Sequence, residues 1–143
     1  MSTPPPGQRP EPVASRDSAF FWQGLREDRL LGQRCDGCQR FRHPPRPACP
    51  HCGSLDWSAV PLSGRGHLHA WIRPQHPPMP AFGADYLVAL IELDEGIRLL
   101  SNLCGASPDA IRNGMPVEVF FIDVGESGAR IHQFRPLAEA ANG

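Results

Sequence analysis

The chain has 143 residues, a formal net charge of −1 and a pI near 6.6, so nothing in its overall balance calls for a polyanionic partner. All 14 basic residues are arginine, which excludes a lysine Schiff base. The chain start lacks the basic stretch and apolar run of a secretory signal, and no later run is long enough to span a bilayer. The expectation is therefore a cytoplasmic protein without a membrane partner, in which clustered thiols mean metal or chemistry before disulfides.

Residues 1–14, "MSTPPPGQRPEPVA", hold five prolines and almost no large apolar side chain, the composition of a disordered tail. Residues 15–29, "SRDSAFFWQGLREDR", read as a short helix capped by Ser15, Asp17 or Ser18. Phe21 and Leu25, four apart, form an apolar stripe beside Phe20 and Trp22. Three consecutive aromatics are more than one small domain easily hides. They pack on the chain's own ribbon or they dock on a partner, since exposed aromatic clusters mark interfaces.

Leu30–Arg34 reads as extended and leads into a thiol-rich stretch, the expected ribbon of residues 30–60. Cys35 and Cys38 form one C-x-x-C and Cys49 and Cys52 a second, with ten residues between the pairs. Two intervening residues let both sulfurs converge on one cation while nearby backbone N–H groups point at them, and two such knuckles complete a tetrahedral Cys₄ site suited to one structural Zn²⁺. The stretch between them, "RFRHPPRPA", has almost no apolar core, so metal binding has to supply its folding energy. Iron and a dithiol redox pair are the alternatives. His43 and His51 lie inside the ribbon and could replace a cysteine, but beside four thiols they read as spectators.

From Pro61 to Pro136 the pattern turns to β. Strands are predicted at Gly66–Ile72, Tyr86–Leu93, Arg98–Leu103, Pro116–Asp123 and Ala129–Phe134, with hairpins at Asp94–Gly96 and Gly125–Gly128. Ser107–Ile111 reads as one helical turn between the third and fourth strands. Five strands with such a turn predict a small Greek-key barrel of the OB type over residues 61–136, with an antiparallel sandwich as the alternative. Residues 137–143 read as a flexible tail. The Pro-rich span 73–85 is too long for a hairpin turn and either covers the barrel mouth or serves a function.

Cys104 follows a strand and is more readily a small core residue than a nucleophile. His67 and His69 alternate on one strand face with Trp71, a pattern that permits a second metal site or simply lines the outside of the barrel. No phosphate-cradling glycine loop, H-E-x-x-H or G-x-S-x-G is present. The fold class expected is thus mainly β: an N-terminal helix, a Cys₄ zinc ribbon and a five-stranded OB barrel. Between Pro61 and Pro136 six arginines face eight carboxylates, a poor footprint for single-stranded nucleic acid, the first rival reading for a ribbon plus an OB barrel.

In that order the segments "FFWQGL", "LLGQRCDGC", "PPRPACPHCGS", "SGRGHLHAW", "YLVALIELDEGIRLLSNL" and "IRNGMPVEVFF" resemble the DUF35 family of acyl-CoA-associated proteins, over about Ser18 to Pro136. One departure is visible: the family usually places glycine directly after the second cysteine of the first knuckle, where this chain has Gln39. The resemblance implies an accessory subunit, not catalytic by itself, in a hetero-oligomer with a thiolase-fold enzyme (thiolase, acyl-CoA synthase or steroid side-chain aldolase). A MaoC-like enoyl-CoA hydratase is the alternative partner. It further implies that the helix, through Phe20, Phe21, Trp22 and Leu25, docks on the partner while the barrel helps hold CoA or acyl-CoA. Arg34, Arg40, Arg42 and Arg46 against Asp36 make the ribbon locally basic. Arginine forks at Arg40, Arg42 and Arg46 suit CoA phosphates or a partner's carboxylates, or form a solvated face. Met79 and Phe82 lie along a pantetheine arm or plug the barrel.

Overall fold

The computed structural model describes residues 9–76 and 86–137. The helix expected within residues 15–29, α1, spans Ala19–Arg26, about two turns. Ser15 and Ser18 bond to each other and to each other's backbone N–H groups, so the chain from Ser15 to Ser18 forms a closed turn ahead of the helix, and neither side chain caps it. At the other end Asp28 takes a positive φ of 60°, which stops the helix before Arg29.

The ribbon is a three-stranded antiparallel sheet ordered β2-β1-β3, with β1 at Leu31–Cys35, β2 at Phe41–Arg42 and β3 at Trp57–Pro61. The last two strands are absent from the sequence reading. Gln33, only 2% exposed, joins this sheet to the loop after β2: its amide donates to the Arg46 carbonyl at 2.9 Å and accepts from the Arg46 N–H at 2.9 Å.

The five expected barrel strands are all present: β4 (Arg65–Ile72), β5 (Leu87–Leu93), β6 (Arg98–Leu103), β7 (Pro116–Val124) and β8 (Ala129–Pro136). They close in the order β4-β5-β6-β8-β7, with β7 pairing back onto β4 and β6 meeting β8 in parallel at Leu103 and Phe134. A 3-10 turn at Pro108–Ala110 carries the chain from β6 to β7. This is the OB topology, and the sandwich alternative is excluded by the closure. Alternation fixes the interior: Leu87, Ala89, Ile91 and Leu93 of β5 are buried, with Leu68, Val117 and Phe134 from neighbouring strands. Gly66 permits the tight β4–β5 approach, since a Cβ there would lie 2.2 Å from the Glu92 carbonyl oxygen.

A register shift between Leu68 and Ala70 makes a β-bulge in β4. His67 and His69 stay exposed, whereas Trp71 packs against the core. The extra residue inverts the alternation, so the expected shared face of His67, His69 and Trp71 does not exist. Ahead of the helix, the tail expected to be disordered is partly tied down: the Arg9 guanidinium donates to Asn102 Oδ1 at 2.7 Å, and Ser127 Oγ donates to Glu11. The remaining tail readings for residues 1–8 and 138–143, and the roles of Met79 and Phe82, lie outside the described residues.

Candidate metal centre and adjoining surfaces

The four cysteines meet at one point. The Sγ atoms of Cys35, Cys38, Cys49 and Cys52 all lie within 4.8 Å of one another, with Cys35–Cys52 at 3.5 Å and Cys38–Cys49 at 3.6 Å across the knuckles. Zinc–thiolate bonds of about 2.3 Å in a tetrahedron require sulfur separations of about 3.8 Å, so the cluster has the right size for Zn²⁺. Backbone donors already point at the sulfurs: Gly37 N and Cys38 N to Cys35 at 3.3 and 3.4 Å, and His51 N to Cys49 at 3.4 Å. The Cys52 N–H helps hold the Cys49 thiol down at about 6, and the Cys38 N–H lowers Cys35. Cys49 and Cys35 are thus prepared to ionise onto a cation, whereas the neighbouring thiols, with burial, push Cys52 up to about 11; four thiols around one cation leave it no open position. The zinc ribbon expected from spacing is thus a domain whose four cysteines are placed to bind a metal ion.

The departure at Gln39 has a structural consequence. The residue after the second cysteine of each knuckle takes a left-handed backbone, at φ +79° for Gly53 and +65° for Gln39. The knuckles are geometrically alike, and Gln39 bears the Cβ strain that glycine avoids in the other. Its side-chain amide donates to the Asp36 carbonyl at 2.9 Å, a local tie that offsets part of the strain.

The aromatic helix lies where ribbon and barrel meet. Phe21 is 4% exposed and Leu25 is fully buried, both within the main core. Phe21 sits 5.3 Å from the His43 ring of the ribbon and 5.8 Å from the His132 ring of β8, centroid to centroid. Phe20 packs on Trp57 of β3 at 4.7 Å. The helix therefore cements the two folding units, and of the four docking candidates only Phe20 and Trp22 keep partial exposure. Trp57 carries no sequence signal of this role; it became assignable only when β3 brought it to the helix.

Trp22 forms one wall of a groove of about 360 Å³ shared with Tyr86, Leu100, Ile131 and His132. Leu100 is 62% exposed beside it. His132 Nδ1 lies 2.8 Å from Ser101 Oγ, but that hydroxyl is also positioned to donate to the His132 carbonyl at 3.1 Å, which leaves the ring nitrogen to donate and the serine without a base. Burial, with His43 nearby, holds His132 down at about 4. Cys104 Sγ donates to Gln133 Oε1 at 3.3 Å, and burial pushes its thiol up, opposite to nucleophile activation.

The ribbon arginines separate by environment. Arg40 is exposed and donates to His51 Nδ1 at 2.8 Å; Arg46 is exposed; Arg42 is 5% exposed and its Nε and Nη2 donate to the Arg46 carbonyl at 3.2 and 3.1 Å.

Residues 22–58 match the family model described as the ChsH2 rubredoxin-like zinc ribbon domain, and residues 59–121 that described as the ChsH2 C-terminal OB-fold domain. Over 132 residues the chain is 46% identical to a probable enoyl-CoA hydratase alpha subunit of Thermomonospora curvata, covering 92% of this chain and 41% of the relative. It thus spans about two fifths of the length of the hydratase subunits it matches. A DUF35 domain-containing scaffold protein of Pyrococcus furiosus is 32% identical, with 84% of this chain and 93% of the relative covered. Among solved structures, a chain of an Ltp2-ChsH2(DUF35) aldolase superposes with a TM-score of 0.82 at 46% identity, covering 87% of this chain and 98% of that one.

Proposed function

Because this chain belongs to the DUF35 family, in its zinc-ribbon-plus-OB-fold form, we propose that it is the accessory subunit of an acyl-CoA-processing enzyme. It docks on a thiolase-fold partner of the aldolase kind and helps hold the CoA-linked substrate. The observation that carries this reading is the 46% identical chain of an aldolase assembly, matched over 98% of its length.

The parts divide as follows. Cys35, Cys38, Cys49 and Cys52 hold a structural Zn²⁺ in the ribbon of residues 30–60, and the barrel of residues 61–136 presents the substrate-facing surface. When bound, the metal supplies cross-linking of the two knuckles and no reactive position. The segment 15–29 docks: Phe21 and Leu25 anchor the helix inside the chain, and Trp22 with Phe20 offers the partner an aromatic edge backed by a rigid core. The nucleophile and base come from the partner. Arg40, Arg46 and, outside the described residues, Met79 and Phe82 contact CoA. A cytoplasmic location is the reading that a metal-binding thiol cluster supports, and no helix among the described residues is long and apolar enough to cross a membrane.

A second reading has the hydratase as partner, favoured by the name of the Thermomonospora curvata relative. One experiment separates the two. The purified chain is mixed in turn with the thiolase-fold and the hydratase subunits from its own genome, and assembly is followed by size-exclusion chromatography with each reaction assayed. Co-elution and activity with the thiolase-fold subunit are expected, and Trp22→Ala should weaken that assembly. Co-elution with the hydratase alone transfers the proposal to that partner, and assembly with neither overturns it.

A further inference from the structure

The cleft between the ribbon and the β5–β6 hairpin of the barrel is lined by three guanidinium-bearing residues, Arg42, Arg46 and Arg98, together with His43 and His51, and by no carboxylate among the described residues. Its volume is about 230 Å³. In a chain of net charge −1 this is a local excess of positive charge. Arg98 is offset by Glu92 at 3.5 Å, in a pair about half exposed on both sides. Arg46 has its backbone engaged and its side chain exposed.

Arg42 is the informative residue. Its charge cannot be removed by deprotonation, and at 5% exposure it is held largely out of water. Two of its nitrogens share one carbonyl oxygen, that of Arg46, while Nη1 is buried with no hydrogen-bond partner among the described residues. A buried guanidinium is ordinarily matched by a carboxylate or fully hydrogen-bonded. Here it has neither, and the neighbouring side chains add charge of the same sign. His51 adds another donor: arginine only donates, so the Arg40 contact makes His51 Nδ1 the acceptor and leaves its proton on Nε2.

We infer that this ribbon–barrel cleft is an oxyanion site for a phosphorylated ligand, with Arg42, Arg46 and Arg98 as its cationic walls. Arg46 and Arg98 are exposed and bring forked donors to the cleft, and Arg42 adds a buried positive charge behind them, which suits a multiply charged phosphate that accepts from more than one guanidinium at once. The site extends the ribbon arginines to a barrel residue, Arg98, that sequence reading did not group with them. The inference deepens the acyl-CoA reading and rests on it only for the source of the phosphate; the cleft itself argues for the charge and its placement.

The test is calorimetric titration of the zinc-loaded full chain with pyrophosphate, CoA and dephospho-CoA. The variants are Arg46→Gln and Arg98→Gln, both at exposed residues, with the exposed Arg135→Gln on β8 as a control outside the cleft. Saturable pyrophosphate binding, weakened roughly tenfold by either cleft substitution and unchanged in the control, is expected from the loss of one charged donor. Tighter binding of CoA than of dephospho-CoA and pyrophosphate identifies the nucleotide end of CoA as the source, and equal binding a free polyphosphate. Absence of saturable binding, or equal weakening in the control, overturns the inference. So does unchanged pyrophosphate binding in cleft variants that no longer assemble with the partner, since the cleft then takes a partner carboxylate. Failure of the phosphate test leaves subunit assembly intact, so the two proposals fall separately.

Discussion

Acidification should loosen the junction between helix and barrel through His132. Its ring lies 5.8 Å from Phe21 and 6.4 Å from Phe134, with Ser101 Oγ 2.8 Å from Nδ1. Burial, reinforced by His43, holds it at about 4 against an ordinary 6.5. In the unfolded chain the ring takes up a proton as pH falls through about 6.5, while the folded chain resists until about 4. Its contribution is therefore fully present above about 6.5, lost progressively as pH falls towards 4, and constant below that. At about 1.4 kcal/mol per pH unit the span totals about 3 kcal/mol, an upper value because the ring is not wholly out of water. Urea unfolding of wild type and His132→Asn across this range measures it. The zinc thiolates also protonate in acid, but equally in both chains, so the difference isolates the histidine. Wild type should lose up to about 3 kcal/mol more than the variant between neutral pH and pH 4. Parallel pH profiles for the two chains would refute the assignment of a buried neutral imidazole.

Three further outcomes follow from the packing and the knuckles. The chain should release about one Zn²⁺ to a chelator, and Cys49→Ser should abolish that release and unfold the ribbon, read as loss of the Phe20–Trp57 fluorescence environment, since the ribbon has little apolar core of its own. Leu25→Ala removes a fully buried core side chain and should cost about 2–5 kcal/mol in chemical denaturation. Gly53→Ala should cost about 1–2 kcal/mol because its φ of +79° is left-handed, whereas Gln39→Gly should be neutral or stabilise by up to about 1 kcal/mol, measured as zinc-loaded melting.

The barrel was legible because its strands announce themselves by alternation and its hairpins by glycine, and the zinc knuckles because C-x-x-C spacing carries its own geometry. What stayed hidden depended on tertiary placement. β2 is two residues long and β3 ends on a proline, so neither has a periodicity to find. The bulge after Leu68 reverses which β4 side chains face inward, and a single inserted residue leaves no mark in composition. For Phe21 and Leu25 the amphipathic helix left packing on the chain itself and docking on a partner equally open, and only the fold shows that the stripe closes the chain's own core. Arg42 reads as one of a run of surface arginines; only the turn that brings the Arg46 carbonyl to it makes it a buried one.

The central claim is that this chain acts through a partner, and recovering the tagged protein from its own host tests it most directly. The account predicts a stoichiometric thiolase-fold acyl-CoA enzyme in the eluate, with turnover by the assembly and none by the isolated chain. A chain that elutes alone under gentle conditions and turns over an acyl-CoA by itself would contradict it.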